Sequence, residues 1–118
     1  MKARSLMLAL VAAAVALLYT PVASPNANVT KPTTVTVTMK EFKFTLSRKI
    51  VPHGTVVFKL VNKGTVGHNF KIGGKKSKLI GKGKTGTLTV TLTKGTKAYS
   101  CTVAGHAAAG MKGTLRAT

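Results

Sequence analysis

The sequence contains almost no acidic residues. Among its 118 residues, Lys and Arg together number 19, whereas Asp and Glu together number one, Glu41, so the formal net charge at pH 7 is +18. Hydrolytic catalysis needs a positioned general base, and carboxylates are one of the common choices for that role. The lack of carboxylates argues against hydrolysis, and we expect a protein that is not an enzyme.

Cysteine is nearly absent as well. The single cysteine, Cys101, excludes an internal disulfide. Conditions outside the cell are oxidising, so an exposed thiol in an exported chain is at risk of oxidation. Because a bound metal ion would protect the thiol, we expect Cys101 to be a metal ligand rather than a spare thiol.

No apolar run is long enough to span a bilayer comfortably. The longest one, Leu6 to Tyr19, has 14 residues and follows Lys2 and Arg4, which is typical of a secretory signal peptide. The protein is therefore predicted to be exported to the periplasm or the extracellular space. An uncleaved segment, the alternative, would retain it at the cell surface. The predicted division of the chain is a signal peptide with an uncertain cleavage site at 1–23, a linker at 24–32 and a metal-binding domain at 33–118.

Alternation of apolar and polar residues with period two dominates the rest of the chain, and no mature segment of ten or more residues shows helical periodicity. Val35, Val37 and Met39 alternate with threonines, as expected for a half-buried strand. A change of parity near Lys40 and Glu41 predicts an irregularity or a bulge. The four phenylalanines, which include Phe42, are predicted to lie in the core. Further alternating runs are centred on Phe58, Val90, Tyr99 and Leu115. These patterns predict an all-β sandwich of seven or eight short strands.

The same parity argument places two candidate ligands towards the core. His68 shares a strand face with Val66, Phe70 and Ile72, and Cys101 shares one with Tyr99 and Val103. The lysine-rich stretch 73–84 between them is predicted to be an exposed loop that contains a short strand and buries only Leu79 and Ile80.

One short stretch, Tyr99 to Gly113, contains a thiol, an imidazole and a thioether at Cys101, His106 and Met111. Two His and one Cys in a trigonal arrangement with a weak axial Met suit a copper ion that cycles between Cu(I) and Cu(II). The best candidate for the missing imidazole is His68, because His53 lies in a Pro-His-Gly turn and is expected to be exposed and unrelated to the site.

The spacing Cys-x₄-His-x₄-Met followed by Lys-Gly resembles the ligand loop of the rusticyanin-type and auracyanin-type cupredoxins, the single-domain blue copper proteins. The resemblance runs from about Thr33 to the C-terminus. It implies a Greek-key β-sandwich that holds one copper ion. His68-Asn69 is similar to the upstream ligand of the family and its following Asn, which in relatives ties the two ligand loops together. The ligands implied by the resemblance are His68, Cys101, His106 and Met111.

Zinc is the competing metal, because one Cys, two His and an open position would also suit Zn²⁺. The thioether of Met111 argues against zinc, and so does the position of Glu41, the only carboxylate, outside both ligand loops.

The predicted function is that of a type 1 (blue) copper protein, a one-electron carrier between redox partners outside the cytoplasm. The alternative is a copper-binding or copper-delivery protein without a redox circuit. The positive charge predicts an acidic redox partner or an anionic membrane or envelope surface. Specific nucleic-acid binding is not expected, because exposed aromatic side chains do not alternate with the basic ones. The protein is expected to be a monomer.

Overall fold

The computed structural model describes residues 16, 18, 19, 21 and 31–118. The predicted signal peptide at 1–23 and the linker at 24–32 therefore lie almost entirely outside the described residues and stay predictions. In the part of the chain that is described, there is no helix with the length and apolar composition needed to cross a membrane.

The described residues form nine β-strands and no helix, which confirms the predicted all-β class. The strand count exceeds the predicted seven or eight because β3 has only two residues and so carries no periodicity. The strands are β1 Thr33–Lys40, β2 Lys43–Leu46, β3 Ile50–Val51, β4 Gly54–Asn62, β5 Lys71–Ile72, β6 Lys75–Lys76, β7 Thr85–Leu92, β8 Gly95–Ser100 and β9 Lys112–Ala117.

Two sheets make up the sandwich. The first has the order β2-β1-β4-β7 and the second the order β3-β9-β8-β5-β6. The pairs β1 with β4 and β3 with β9 are parallel, whereas the other pairs are antiparallel. Sequence neighbours such as β2 and β3 lie in different sheets, so the chain crosses repeatedly between the two layers.

The core lies between the two sheets and follows the predicted alternation. Val35, Val37 and Met39 are fully buried. Four aromatic side chains, Phe44, Phe58, Phe70 and Tyr99, form a cluster with neighbouring ring centroids 5.1 to 5.6 Å apart. Phe70 follows His68 by two residues and Tyr99 precedes Cys101 by two, so the cluster is close to both candidate ligands along the chain.

The irregularity predicted after Met39 is a hairpin turn and not a bulge. Lys40 pairs with Lys43 across β1 and β2, which leaves Glu41 and Phe42 as a two-residue turn. Residues directly opposite each other in an antiparallel pair share a face, so the buried face passes from Met39 to Phe44. Phe42, expected in the core, is 43% exposed.

The region that precedes β5 is less regular than predicted. His68 forms only an isolated bridge with Ile80, and Val66, expected on the buried face, is 46% exposed. Leu79 is also exposed, whereas Ile80 is buried. A segment that leaves the ladder loses the strict alternation of faces. Parity therefore predicts burial correctly for His68, Phe70 and Ile72 but not for Val66.

Candidate metal centre

His68 and Cys101 lie in two loops that leave the same end of the second sheet. Lys71 of β5 pairs with Ser100 of β8 in antiparallel orientation, so the chain before β5 and the chain after β8 run out side by side. His68 is 0% exposed and Cys101 is 1% exposed. The inward orientation predicted for both side chains is therefore confirmed.

The loop from Cys101 to Met111 is closed by its own backbone. The N–H of Cys101 donates to the carbonyl of Met111 at 3.0 Å, and the N–H of Met111 donates to the carbonyl of His106 at 3.0 Å. Two glycines, Gly105 and Gly110, have φ values of 81° and 123°, which favour glycine because it lacks a Cβ. This closure places the buried Met111 beside both Cys101 and His106 through backbone contacts.

Three donor atoms converge at this end of the sandwich. One ligand atom each from His68, Cys101 and His106 lies within 4.8 Å of the others. Nδ1 of His68 is 3.1 Å from Nδ1 of His106, and Sγ of Cys101 is 3.6 Å from the same nitrogen. One thiol and two imidazoles are donor types that copper and zinc take in proteins. The ligand set His68, Cys101, His106 and Met111 stays a prediction.

His53 lies outside this cluster, as expected. It is exposed, and its Nδ1 is 2.7 Å from the backbone oxygen of Thr118 at the C-terminus.

The two ligand loops are joined by Asn69. Its side-chain Nδ2 donates to Oγ1 of Thr102 at 2.6 Å, and its Oδ1 accepts from the backbone N–H of Thr102 at 2.7 Å. Asn69 and Thr102 directly follow His68 and Cys101, so this paired contact fixes the spacing of the two candidate ligands. The bridging role expected for this Asn is confirmed.

Asn69→Ala is expected to lower the free energy of unfolding of the metal-free protein by about 1 to 3 kcal/mol, because it leaves the N–H of Thr102 without its partner. Thr102→Val is the matched control. It removes only the hydroxyl and keeps the backbone bond, so a smaller loss is expected. Urea unfolding of the two variants measures the difference, and equal losses would show that the backbone bond contributes nothing.

Glu41 is the site residue that sequence reasoning missed. The sequence places Glu41 outside both loops that hold the candidate ligands. In the folded protein, however, its side chain contacts His68. Its Oε1 is 3.1 Å from Nε2 of His68 and accepts from the backbone N–H groups of Thr65 at 2.7 Å and Val66 at 3.0 Å. The only signal in the sequence was its rarity, because no other carboxylate side chain is available to balance 19 basic residues.

These hydrogen bonds keep Glu41 ionised. The N–H of Val66 is the largest cause that lowers the pKa of the carboxyl from 4.5 to about 2; partial burial opposes it, and Thr65 and His68 add smaller contributions. A donor directed at a carboxylate favours the charged form. The candidate centre therefore carries one fixed negative charge on the outer side of His68.

Apolar side chains surround the rim of the site. His106 is partly exposed and meets the ring of Phe42 edge to face, with centroids 5.1 Å apart. The side chain of Leu79 packs against Gly67, because a Cβ added to Gly67 would lie 3.1 Å from Cγ of Leu79. Phe42, Val66 and Leu79 are exposed apolar side chains at this end of the sandwich, and we call them the rim patch.

Comparison with solved structures gives consistent neighbours. Auracyanin B superposes with a TM-score of 0.66 at 26% identity, over 77% of this chain and 92% of its own. Auracyanin A, a "blue" copper protein from the green thermophilic photosynthetic bacterium Chloroflexus aurantiacus, superposes with a TM-score of 0.65 at 22% identity. The superposition covers 75% of this chain and 100% of auracyanin A. Copper nitrite reductase from Nitrosomonas europaea superposes with a TM-score of 0.59 at 22% identity. The superposition covers 74% of this chain but only 41% of the reductase chain.

No curated protein sequence matches the chain at a significant level. The family model of the cupredoxin-like domain does match, over residues 8–115. This match spans most of the chain and agrees with the all-β sandwich described above. The chain therefore belongs to the cupredoxin-like family.

Proposed function

We propose that this protein binds one copper ion through His68, Cys101, His106 and Met111 and serves as a one-electron carrier. The observation that carries the proposal is the convergence of a buried thiol and two imidazoles within 4.8 Å. The fold neighbours that are copper proteins support the choice of metal. When bound, copper would supply the redox change by alternating between Cu(I) and Cu(II).

The protein's contribution is to hold the donors still. A backbone hydrogen bond joins Cys101 to Met111. The side chain of Asn69, in the loop of His68, is hydrogen-bonded to Thr102. Ligands held by packing and hydrogen bonds move little when the charge at the centre changes, which keeps the reorganisation small. Met111 is fully buried in the same loop and would be a weak thioether donor that tunes the reduction potential.

We further propose that electrons leave through His106. It is the partly exposed imidazole of the pair, and the ring of Phe42 packs against it. The rim patch of Phe42, Val66 and Leu79 provides an apolar contact area, and the high positive charge of the chain favours an acidic redox partner. An anionic membrane or envelope surface would be attracted by the same charge. The protein is proposed to act as an exported monomer.

Addition of Cu(II) to the metal-free protein tests the proposal. One equivalent is expected to bind and to produce an intense charge-transfer band near the red end of the visible spectrum, because the Cys101 thiolate would overlap the copper orbitals. A colourless adduct would contradict the blue copper assignment and favour a different use of the three donors.

Copper delivery without a redox circuit is the second candidate, and the partial exposure of His106 is compatible with it because a partner could reach the metal there. Two rates separate the functions. A carrier exchanges electrons rapidly between its own Cu(I) and Cu(II) forms, as measured by NMR line broadening. A delivery protein instead releases its metal completely to a competing chelator.

An enzymatic role is not proposed. The copper nitrite reductase aligns over 41% of its own length, so the likeness extends to one part of that enzyme. In this chain the only carboxylate already accepts three hydrogen bonds at one oxygen, which leaves it poorly suited to act as a general base.

If the basic surface guides docking, Lys63→Gln combined with Lys112→Gln should slow association with an acidic redox protein several-fold at low salt, because these lysines adjoin the ligand loops. The matched control is Lys75→Gln with Lys76→Gln, which removes the same charge at strand β6. Stopped-flow reduction at increasing ionic strength measures the rates. The Debye screening length falls to about 8 Å at 0.15 M ionic strength. The difference in association rate between the two double variants should therefore vanish at high salt.

Equal slowing by both double variants would show that the charge acts only as a bulk field. No slowing in either would contradict an acidic docking face on the partner.

A further inference from the structure

The two-residue turn between β1 and β2 approaches both candidate histidine ligands. Glu41 contacts the ring of His68, and the next residue, Phe42, contacts the ring of His106. The backbone oxygen of Phe42 also lies beside Gly110, where an added Cβ would approach it to 3.2 Å. The turn therefore acts as a third loop of the metal centre, although it belongs to the opposite sheet.

Only one ring nitrogen of His68 faces the other donors. Nδ1 is 3.1 Å from His106, whereas Nε2 is 3.1 Å from Oε1 of Glu41 on the far side of the ring. A neutral imidazole carries its proton on one nitrogen and a lone pair on the other, and the hydrogen bond decides which. A carboxylate can only accept, so the proton stays on Nε2 and the lone pair of Nδ1 points into the cluster.

We propose that Glu41 is the positioning residue of the metal centre: it selects the tautomer of His68, holds the ring in its binding orientation and favours the more highly charged state of the metal. This inference rests on the proposed copper site and extends it. Carboxylates that accept from a ligating His raise its basicity, and loss of such partners costs roughly 10- to 100-fold in metal affinity.

The position of Glu41 is determined by its neighbours as well as by His68. The backbone N–H groups of Thr65 and Val66 hold the same oxygen. Gly64 leaves the space that the carboxylate occupies, because a Cβ at this residue would collide with Oε1, and the nearest atoms are all from Glu41. Gly64 therefore offers a way to displace the carboxylate without changing any charge.

Four variants separate hydrogen bond, charge and position. Glu41→Ala removes both the acceptor and the charge, Glu41→Gln keeps an acceptor oxygen but removes the charge, and Gly64→Ala keeps both but displaces them. The matched control is Thr89→Lys, which raises the net charge by the same amount as Glu41→Gln on the exposed face of β7.

The tautomer of His68 is read in the metal-free protein by ¹H–¹⁵N NMR of the imidazole nitrogens. Wild type, Glu41→Gln and Thr89→Lys should show the proton on Nε2. Glu41→Ala and Gly64→Ala should show a mixture of tautomers. A wild-type tautomer in both of these last variants would overturn the inference, even if their thermal stability falls, because a merely structural contact would lower stability alone.

Metal affinity and potential provide the second readout. Glu41→Ala and Gly64→Ala should bind Cu(II) roughly 10- to 100-fold more weakly. Glu41→Gln should weaken Cu(II) more than Cu(I), and each tenfold difference between the two would raise the potential by about 59 mV. An unchanged potential in Glu41→Gln, or an equal rise in Thr89→Lys, would contradict a specific role for the charge.

The two proposals can fail separately. If the wild-type protein binds no copper, the proposed function fails, whereas the tautomer measurement still decides whether Glu41 positions His68.

Discussion

Cys101→Ser is expected to abolish the visible charge-transfer band of the Cu(II) protein completely. The band requires a thiolate sulfur bound to Cu(II), and a serine hydroxyl at this buried position offers neither the softness nor the covalency of sulfur. Absorbance after addition of one equivalent of Cu(II) measures the effect. Because Cys101 is the only cysteine in the chain, no second thiolate can replace it.

Thr102→Ser is the matched control for this experiment. It changes the neighbouring residue but keeps the hydroxyl that Asn69 contacts, so the band should persist. Colour that survives Cys101→Ser would show that the absorption does not come from a thiolate, and the blue copper assignment would be wrong.

His68→Ala should weaken copper binding by more than about 100-fold, since loss of an outer hydrogen-bond partner alone already costs roughly 10- to 100-fold. It also leaves the charge of Glu41 without the ring that it contacts. Competition with a chelator of known affinity measures the loss. His53→Ala is the matched control, because this exposed imidazole contacts the C-terminal Thr118 instead, and its copper affinity should equal that of the wild type.

Met111→Leu should behave differently from His68→Ala. An apolar side chain of similar volume is tolerated in the core at a cost below about 1.5 kcal/mol. The copper and its colour should be kept, while the reduction potential rises because loss of the axial donor stabilises Cu(I) relative to Cu(II). Equal metal loss in the two variants would show that the axial role assigned to Met111 is wrong.

These expectations depend on parts of the site that could be predicted to different degrees. The candidate donors Cys101, His106 and Met111 lie within 11 consecutive residues, so their spacing alone indicates a loop that can close around an ion. His68 is 33 residues upstream of Cys101, and its inclusion relied on strand parity together with the family resemblance. Parity worked there because Phe70 and Ile72, on the same face, are core residues.

The contribution of the β1–β2 turn could not be predicted in the same way. Glu41 and His68 are 27 residues apart and lie in loops of different sheets. Their contact exists because β1 pairs in parallel with β4, which brings the end of β1 beside the chain that leaves β4. Alternation shows which face of a strand is buried, but it contains no information about which strand lies next to it.

The sequence by itself determined the all-β class, the buried faces of the long strands and the close spacing of Cys101, His106 and Met111, because these depend on period-two alternation and on short spacings along the chain. Tertiary structure alone decided the strand order, the two-residue strand β3, the exposure of Phe42 and Val66, and the position of Glu41 behind His68. Those features depend on contacts between residues far apart in sequence, which become neighbours only when the two sheets pack together.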